Sequence, residues 1–447
     1  MTSSSPVDRP VNDLASCQGT KIEEKPESAG KLPISTSATS CVFPEGGLQV
    51  WMTVLGVWII QFSTFGYTNA YGVYNDFYIR EYMVNKYASS QMSWVGNVQL
   101  MLVLSVGLVS GRLYDTGYFY HLMIGGGILF IFCLLMLSLM QPGQYYQIIL
   151  AQGIGAGLAI GLMYVPGISV VSHYFQCRRS FAMGVATSGS GLGGVIQPIM
   201  LNKLFHGPVG FHNGVRISAA FNAGLLLIAI ALVRTRLPPS SKKEGSILLD
   251  MSHFFREGTY ATTVVGTIIT ICGLFFPVFF LQLNAIKNGI SSDVAFYAIP
   301  VMNVFTVVGR IVWPAIVPWI GIYNVIIPCV GICSILIFCS IAVKTVAATF
   351  SFATLYSLFA GGYMELFAPM VGSLARKDSE IGARMGICFT FTGLGGLVGT
   401  PIAGALVTSS YTWWKPIMFS GLCTACGALL FACARFGVAR SKSTQKV

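Results

Sequence analysis

Charge is what this chain has least of. Only 10% of its 447 residues are Asp, Glu, Lys or Arg, against about 25% in a soluble domain. A soluble protein of this size needs a wetted surface, so the shortfall excludes one large water-exposed fold. The sequence also has no G-x-x-x-x-G-K-[ST] loop, which argues against a nucleotide-driven pump. Its five His are dispersed, so there is neither a metal-ligand cluster nor a nucleophile–base set for an intramembrane enzyme. No catalytic residue, metal or cofactor is expected. Residues 1–44 contain no apolar run of the signal-peptide kind and read as a disordered cytosolic tail.

What is there is apolar. The hydrophobic share is 54% and the mean hydropathy +0.69. Long, nearly uncharged stretches alternate with short polar breaks, as bilayer-crossing helices do. The net charge of +11 would suit nucleic acid, but many Lys and Arg stand at the ends of apolar stretches. There they meet lipid headgroups, so the expected partners are a bilayer and a small solute, not nucleic acid. The twelve Cys are scattered, and Cys272, Cys329, Cys333 and Cys339 lie inside apolar stretches. Cys423 and Cys426 form a C-x-x-C without a second ligand pair, so packing is the better reading than metal binding.

Apolar segments near 50–75, 90–111, 121–140, 145–172, 181–203 and 215–233 are followed by six more, near 259–284, 294–318, 323–343, 347–374, 385–407 and 414–434. Each is close to the ~20 residues that cross a ~30 Å hydrocarbon core. The expectation is an all-α membrane protein of twelve spanning helices in two halves, 45–233 and 258–435. A cytosolic linker, 234–257, joins them, and residues 436–447 form a second cytosolic tail. With both ends inside, the inner segments after the first helix carry fifteen Lys or Arg and the outer ones seven. That excess favours cytosolic termini.

The two halves echo each other. Met183-Gly184 is followed by Gly191-Leu192-Gly193-Gly194, and Met385-Gly386 by Gly393-Leu394-Gly395-Gly396, at one offset of 202 residues. Ser188 matches Thr390, and Ser190 matches Thr392. Helices 5 and 11 should therefore be equivalents, with small residues that permit close approach between the halves. Parallel six-helix repeats are the arrangement of the major facilitator superfamily, in which one half rocks against the other.

Two motifs carry a resemblance, Glu45-Gly46-Gly47 with Trp51 beyond and the run Tyr174-Phe175-Gln176-Cys177-Arg178-Arg179-Ser180-Phe181-Ala182-Met183-Gly184, while Gly111-Arg112-Leu113-Tyr114-Asp115-Thr116-Gly117 resembles the loop 2–3 motif of the superfamily at large. Over roughly residues 45–435 the chain resembles the monocarboxylate-transporter family of the major facilitator superfamily, in its fungal form. At cytosolic helix ends, Asp115, Arg178 and Arg179 could latch one conformation and release it in the other. For the arginines, plain positive-inside anchoring is an equal alternative.

Two charges stand inside apolar segments, Arg310 and Glu365. Burying either alone would cost roughly 2.5–3.5 kcal/mol or more at a helix centre, so each should face a cavity or a partner. Helices 8 and 10 run in the same direction. The two residues lie roughly 12 and 13 Å from their cytosolic ends at 1.5 Å per residue. They should interact, with Arg310 binding an anionic cargo and Glu365 as the proton-coupling candidate. The resemblance supports Arg310, because family members carry an arginine on helix 8 that engages the substrate anion. It also marks two departures. Thr306 stands where an Asp is expected, and Asn69 where a Lys is expected, so proton–lactate symport does not simply transfer.

Further candidates for the cargo site are Tyr67, Asn69, Tyr71, Tyr164 and Asn303, since Tyr and Asn bond oxygen-rich solutes while aromatic faces cover apolar parts. Gln61, Asn97, Gln99, Gln282 and Asn284 belong to the same set. The leading reading is a secondary transporter of a small organic anion or related metabolite, with proton coupling open. The alternatives are an exporter of a larger fungal metabolite and a non-transporting sensor that keeps the fold. Plasma membrane is the default location, with the vacuolar membrane as the alternative.

Overall fold

A computed structural model describes residues 46–78, 81, 89–175, 179–236, 247–375, 381–407 and 413–442. Every regular element among them is helical. Twelve long rods follow in order. In the first half these are α1 (Leu48–Phe77), α2 (Trp94–Tyr114), α3 (Phe119–Leu137), α4 (Tyr145–His173), α5 (Arg179–His206) and α6 (Gly210–Leu232). In the second half they are α7 (Gly258–Lys287), α8 (Ser292–Ile320), α9 (Ile322–Ala342), α10 (Val346–Gly372), α11 (Ile381–Leu406) and α12 (Trp414–Lys442). A short helix, Ile247–Phe255, lies in the linker between them. The rods match the twelve apolar segments. The first runs slightly further than expected and takes in Asp76 at its end.

Among the described residues, ten of the twelve rods are long and apolar enough to cross a membrane by composition alone. The other two are α5 and α10. Their sequences are diluted by Gly, Ser and Thr, and α10 carries Glu365. A helix surrounded by protein need not be oily. By contrast, α3, α6, α9 and α12 present Ile128, Leu227, Ile335 and Leu429 outward, each more than 60% exposed. Apolar surface of that extent suits lipid as the solvent and would be an aggregation liability in water.

The packing has two-fold character. In the first half α1 packs on α5 and α6, and α4 on α2 and α3; in the second α7 packs on α11 and α12, and α10 on α8 and α9. Between halves α5 packs on α8, and α2 on α11. One apolar cluster draws its buried residues from 50–233, and a second draws nearly all of its own from 271–438. The repeated glycines have matched roles. A side chain at Gly191 would meet the Asn303 carbonyl of α8 at 3.2 Å, and one at Gly393 the Met101 carbonyl of α2 at 3.2 Å. Within each half, Gly193 abuts α1 at Phe62 and Gly66, and Gly395 abuts α7 at Ile268 and Ile271. Along α4, Gly157 and Gly161 let α2 approach at Gln99 and Leu102, the close-packing role that small residues play between membrane helices.

Candidate functional site

The site is assembled where α8 and α10 meet α5. Close packing sets the depth first. Side chains at Gly361 and Gly362 would collide with Thr306 and Trp313 of α8, so the bare backbones let the two helices touch. This brings Arg310 and Glu365 to one level, as their distances along the helices predict. Both are buried.

They do not pair directly. Among the described contacts no ion pair joins them. Instead, both reach Thr187 on α5. The guanidinium Nη1 of Arg310 donates to the Thr187 carbonyl at 3.0 Å and to the Ser190 hydroxyl, while the Thr187 hydroxyl donates to Glu365 Oε2. Nη2 of Arg310 lies 3.7 Å from the Met364 sulfur, and the buried Nε of Arg310 has no hydrogen-bond partner among the described residues. A charge and a countercharge of one half are thus held by a single residue of the other. Tyr164 on α4 lies within electrostatic reach of both.

Ser190 extends the constellation. Its carbonyl accepts from Asn69 Nδ2 at 3.4 Å. Asn69 sits at the break between the helical pieces Phe65–Thr68 and Tyr71–Phe77 of α1. Asn303 of α8 donates to the Gly194 carbonyl at 2.8 Å. A methyl group at Gly194 would lie 2.9 Å from the Asn69 amide and 3.0 Å from that of Asn303, so the two amides converge over one glycine. α7 is also interrupted, at Phe275. Irregular backbone at membrane depth is tolerated where it is buried in protein or lines a cavity.

The structure therefore brings together five of the candidates, Arg310, Glu365, Asn69, Asn303 and Tyr164. It places two others elsewhere. Tyr67 bonds the Tyr74 hydroxyl and packs edge-on against Phe130. Tyr71 packs its ring against α2 at Gly96. Both belong to the core of the first half. Arg178 lies outside the described residues. Asp115 and Arg179 lie at helix ends whose side chains are likewise outside the description.

Sequence reasoning missed Thr187 and Ser190 as partners, although both lie in the repeated segment. It also missed a buried charge. Arg384, one of the fifteen Lys and Arg counted on the inner side, is fully buried and makes two 2.9 Å bonds to Glu257. Its guanidinium lies 4.4 Å from the centre of the Phe254 ring and 5.2 Å from that of Tyr260. The clamp ties the start of α11 to the linker helix and the start of α7. A usable signal was aromatic: Phe254, Phe255 and Tyr260 flank Glu257, a setting in which a cation can be buried.

Comparison with known proteins agrees with this architecture. The Major Facilitator Superfamily model matches residues 51–359. The aspyridones efflux protein apdF of Emericella nidulans is 35% identical over 87% of this chain and 78% of its own. The MFS-type transporter dbaD of the same organism is 34% identical over 90% of both chains. The agnestins efflux protein AgnL12 of Paecilomyces divaricatus is 31% identical over 94% of this chain and 93% of its own. Among solved structures, the transporter FucP in its outward conformation superposes with a TM-score of 0.66 at 14% identity, covering 87% of this chain and 99% of that one. That likeness bears on the fold alone.

Proposed function

The chain belongs to the Major Facilitator Superfamily, and on that premise we propose that this multi-pass membrane transporter exports an organic anion held at Arg310, with Glu365 as the proton-responsive partner. The observation that carries the proposal is the link from Arg310 through Thr187 to Glu365, which crosses between the halves. A buried cation whose contacts are mostly neutral acceptors is suited to a negatively charged ligand. An incoming carboxylate would compete with the Thr187 carbonyl and the Ser190 hydroxyl for the guanidinium. Those two bonds have an ionised donor only, whereas a carboxylate adds an ionised acceptor with two oxygens matched to the planar guanidinium, so the anion would win that exchange.

The exchange also supplies a means of alternating access. Arg310 and Glu365 ride on the second half, and Thr187 and Ser190 on the first. Cargo that takes Arg310 from α5 weakens the contact between halves and favours their separation. Protonation of Glu365 removes the countercharge nearest the guanidinium and strengthens its hold on the anion. Tyr164 of α4 and Thr187 of α5 are the other groups that face the carboxyl group. Asp115, Arg178 and Arg179 are proposed to latch the cytosolic ends.

Export is favoured because two of the relatives are named as efflux proteins. The kinship with the monocarboxylate branch is proposed on the Tyr174–Gly184 motif and the arginine of α8, and the plasma membrane is the proposed location. The test is transport of labelled organic acids in proteoliposomes of defined orientation. Uptake that is equal in wild type and Arg310→Ala across a panel of acids would reject the reading.

A further inference from the structure

A row of aromatic rings stands beside the charged constellation. Phe65 of α1 lies 5.3 Å from Tyr164 of α4, Tyr164 lies 6.4 Å from Phe389 of α11, and Phe389 lies 4.8 Å from Phe367 of α10. Two rings come from each half. The row therefore bridges the halves at the level of Glu365, two residues before Phe367. Phe65 and Tyr164 are half-buried, while Phe389 and Phe367 are buried.

On α1 the row meets a polar stripe. Gln61, Phe65 and Asn69 follow one another at four-residue spacing, with the helix interrupted at Thr64 between the first two. Asn69 is tied to Ser190, which also holds Arg310. Gln61 is 1% exposed, and among the described residues neither its amide oxygen nor its amide nitrogen has a hydrogen-bond partner. Leaving a buried amide unpaired is costly, so such a group in a native structure asks for a ligand or water. A bonding amide, a ring and a second amide thus follow one another along α1 and end beside the cation.

We infer that Gln61, Phe65 and Tyr164 form a subsite for the oxygenated aromatic ring of the cargo, so that the substrate class is planar aromatic acids rather than short aliphatic ones. The inference rests on the reading of Arg310 as the anion site. The flat face of the acid lies against Phe65 and Tyr164. A hydroxyl or keto oxygen on its edge bonds the Gln61 amide, and its anionic group reaches Arg310. A short aliphatic acid satisfies Arg310 and leaves the ring row and the Gln61 amide without a partner.

The experiment measures equilibrium binding of four acids to the purified full-length protein: 2-naphthoate, 6-hydroxy-2-naphthoate, cyclohexanecarboxylate and lactate. Wild type should bind 2-naphthoate roughly three- to tenfold more tightly than cyclohexanecarboxylate, the scale of one favourable aromatic pairing. The hydroxy-acid should bind more tightly still. Phe65→Leu or Tyr164→Leu should erase the aromatic preference, and Gln61→Leu the gain from the hydroxyl. Arg310→Ala should weaken all four. The ratios in wild type suffice if a variant fails to fold. Arg310-dependent binding with no preference for the aromatic acids overturns the substrate class and leaves the anion reading standing. Absence of Arg310-dependent binding for all four overturns both.

Discussion

Arg310 and Glu365 share a neighbour rather than a bond. Thr187, on the opposite half, gives its carbonyl to the arginine and its hydroxyl proton to the glutamate. A mobile interface between the halves therefore runs through the same atoms that hold the buried charges. Changes to those atoms should alter binding and motion together.

Replacing Arg310 by Lys keeps the charge but loses the planar fork that can hold a carboxylate through two parallel bonds. Losing one hydrogen bond to a charged group costs about 1.5–3 kcal/mol. Transport of an organic anion in proteoliposomes should fall by roughly ten- to a hundredfold, and Arg310→Ala should lie lower still. A Lys variant with wild-type transport would remove the geometric part of the argument.

Glu365→Gln should flatten the pH response. In wild type, acidification neutralises the carboxylate and leaves the charge of Arg310 less compensated, so anion affinity should rise as pH falls. The Gln variant should hold the high affinity at every pH. A sulfonate probe, which does not titrate between about pH 5 and 8, separates this effect from ionisation of the cargo.

Thr187→Val removes the hydroxyl and leaves the backbone carbonyl. The Glu365 oxygen then loses its donor, at a cost of about 1–3 kcal/mol for an unsatisfied buried group. Affinity at low pH should survive, because the Arg310 contact is to backbone. The midpoint of the pH response should shift, and Thr187→Ser should restore it. A pH profile for Thr187→Val that overlays wild type would contradict the link.

Gly386→Val would drive a side chain into Leu108 of α2, already within 2.8 Å of an added methyl. Gly184→Val would meet the Arg310 carbonyl of α8 in the matching place. Overpacking typically costs about 1–3 kcal/mol, so both variants should melt several degrees lower in detergent and transport poorly. Gly125→Val and Gly331→Val, where nothing lies within 4 Å, serve as controls and should leave both readouts unchanged.

The clamp between Arg384 and Glu257 predicts a non-additive pair. Breaking a buried ion pair from one side typically costs about 3–5 kcal/mol. Arg384→Met and Glu257→Leu alone should each lower the melting temperature strongly, and the double variant should recover much of the loss. Equal, additive losses would show that the two side chains act independently.

The division between what could be read early and what could not is physical. The rod count, the six-and-six division, the equivalence of α5 and α11 and the common depth of Arg310 and Glu365 follow from hydropathy, spacing and rise per residue. Those are properties of a segment taken alone. Which face of each helix turns inward is not such a property. The rotation of a rod about its axis is decided by what packs beside it. Tyr67 and Tyr71 lie on the same helix as Asn69, yet packing buries their rings in the first half and leaves Asn69 over Gly194 beside Asn303. Ser190 is legible as a repeat position and Thr187 only as a residue inside the repeated segment, and neither is legible as a partner of Arg310, which is 120 and 123 residues away in sequence. Hydropathy and spacing along the chain thus specify a two-fold bundle of membrane helices with two buried charges at one level. That α5 of the other half holds both charges is a matter of packing, because the residues that meet across a helix pair depend on how each helix is turned about its axis.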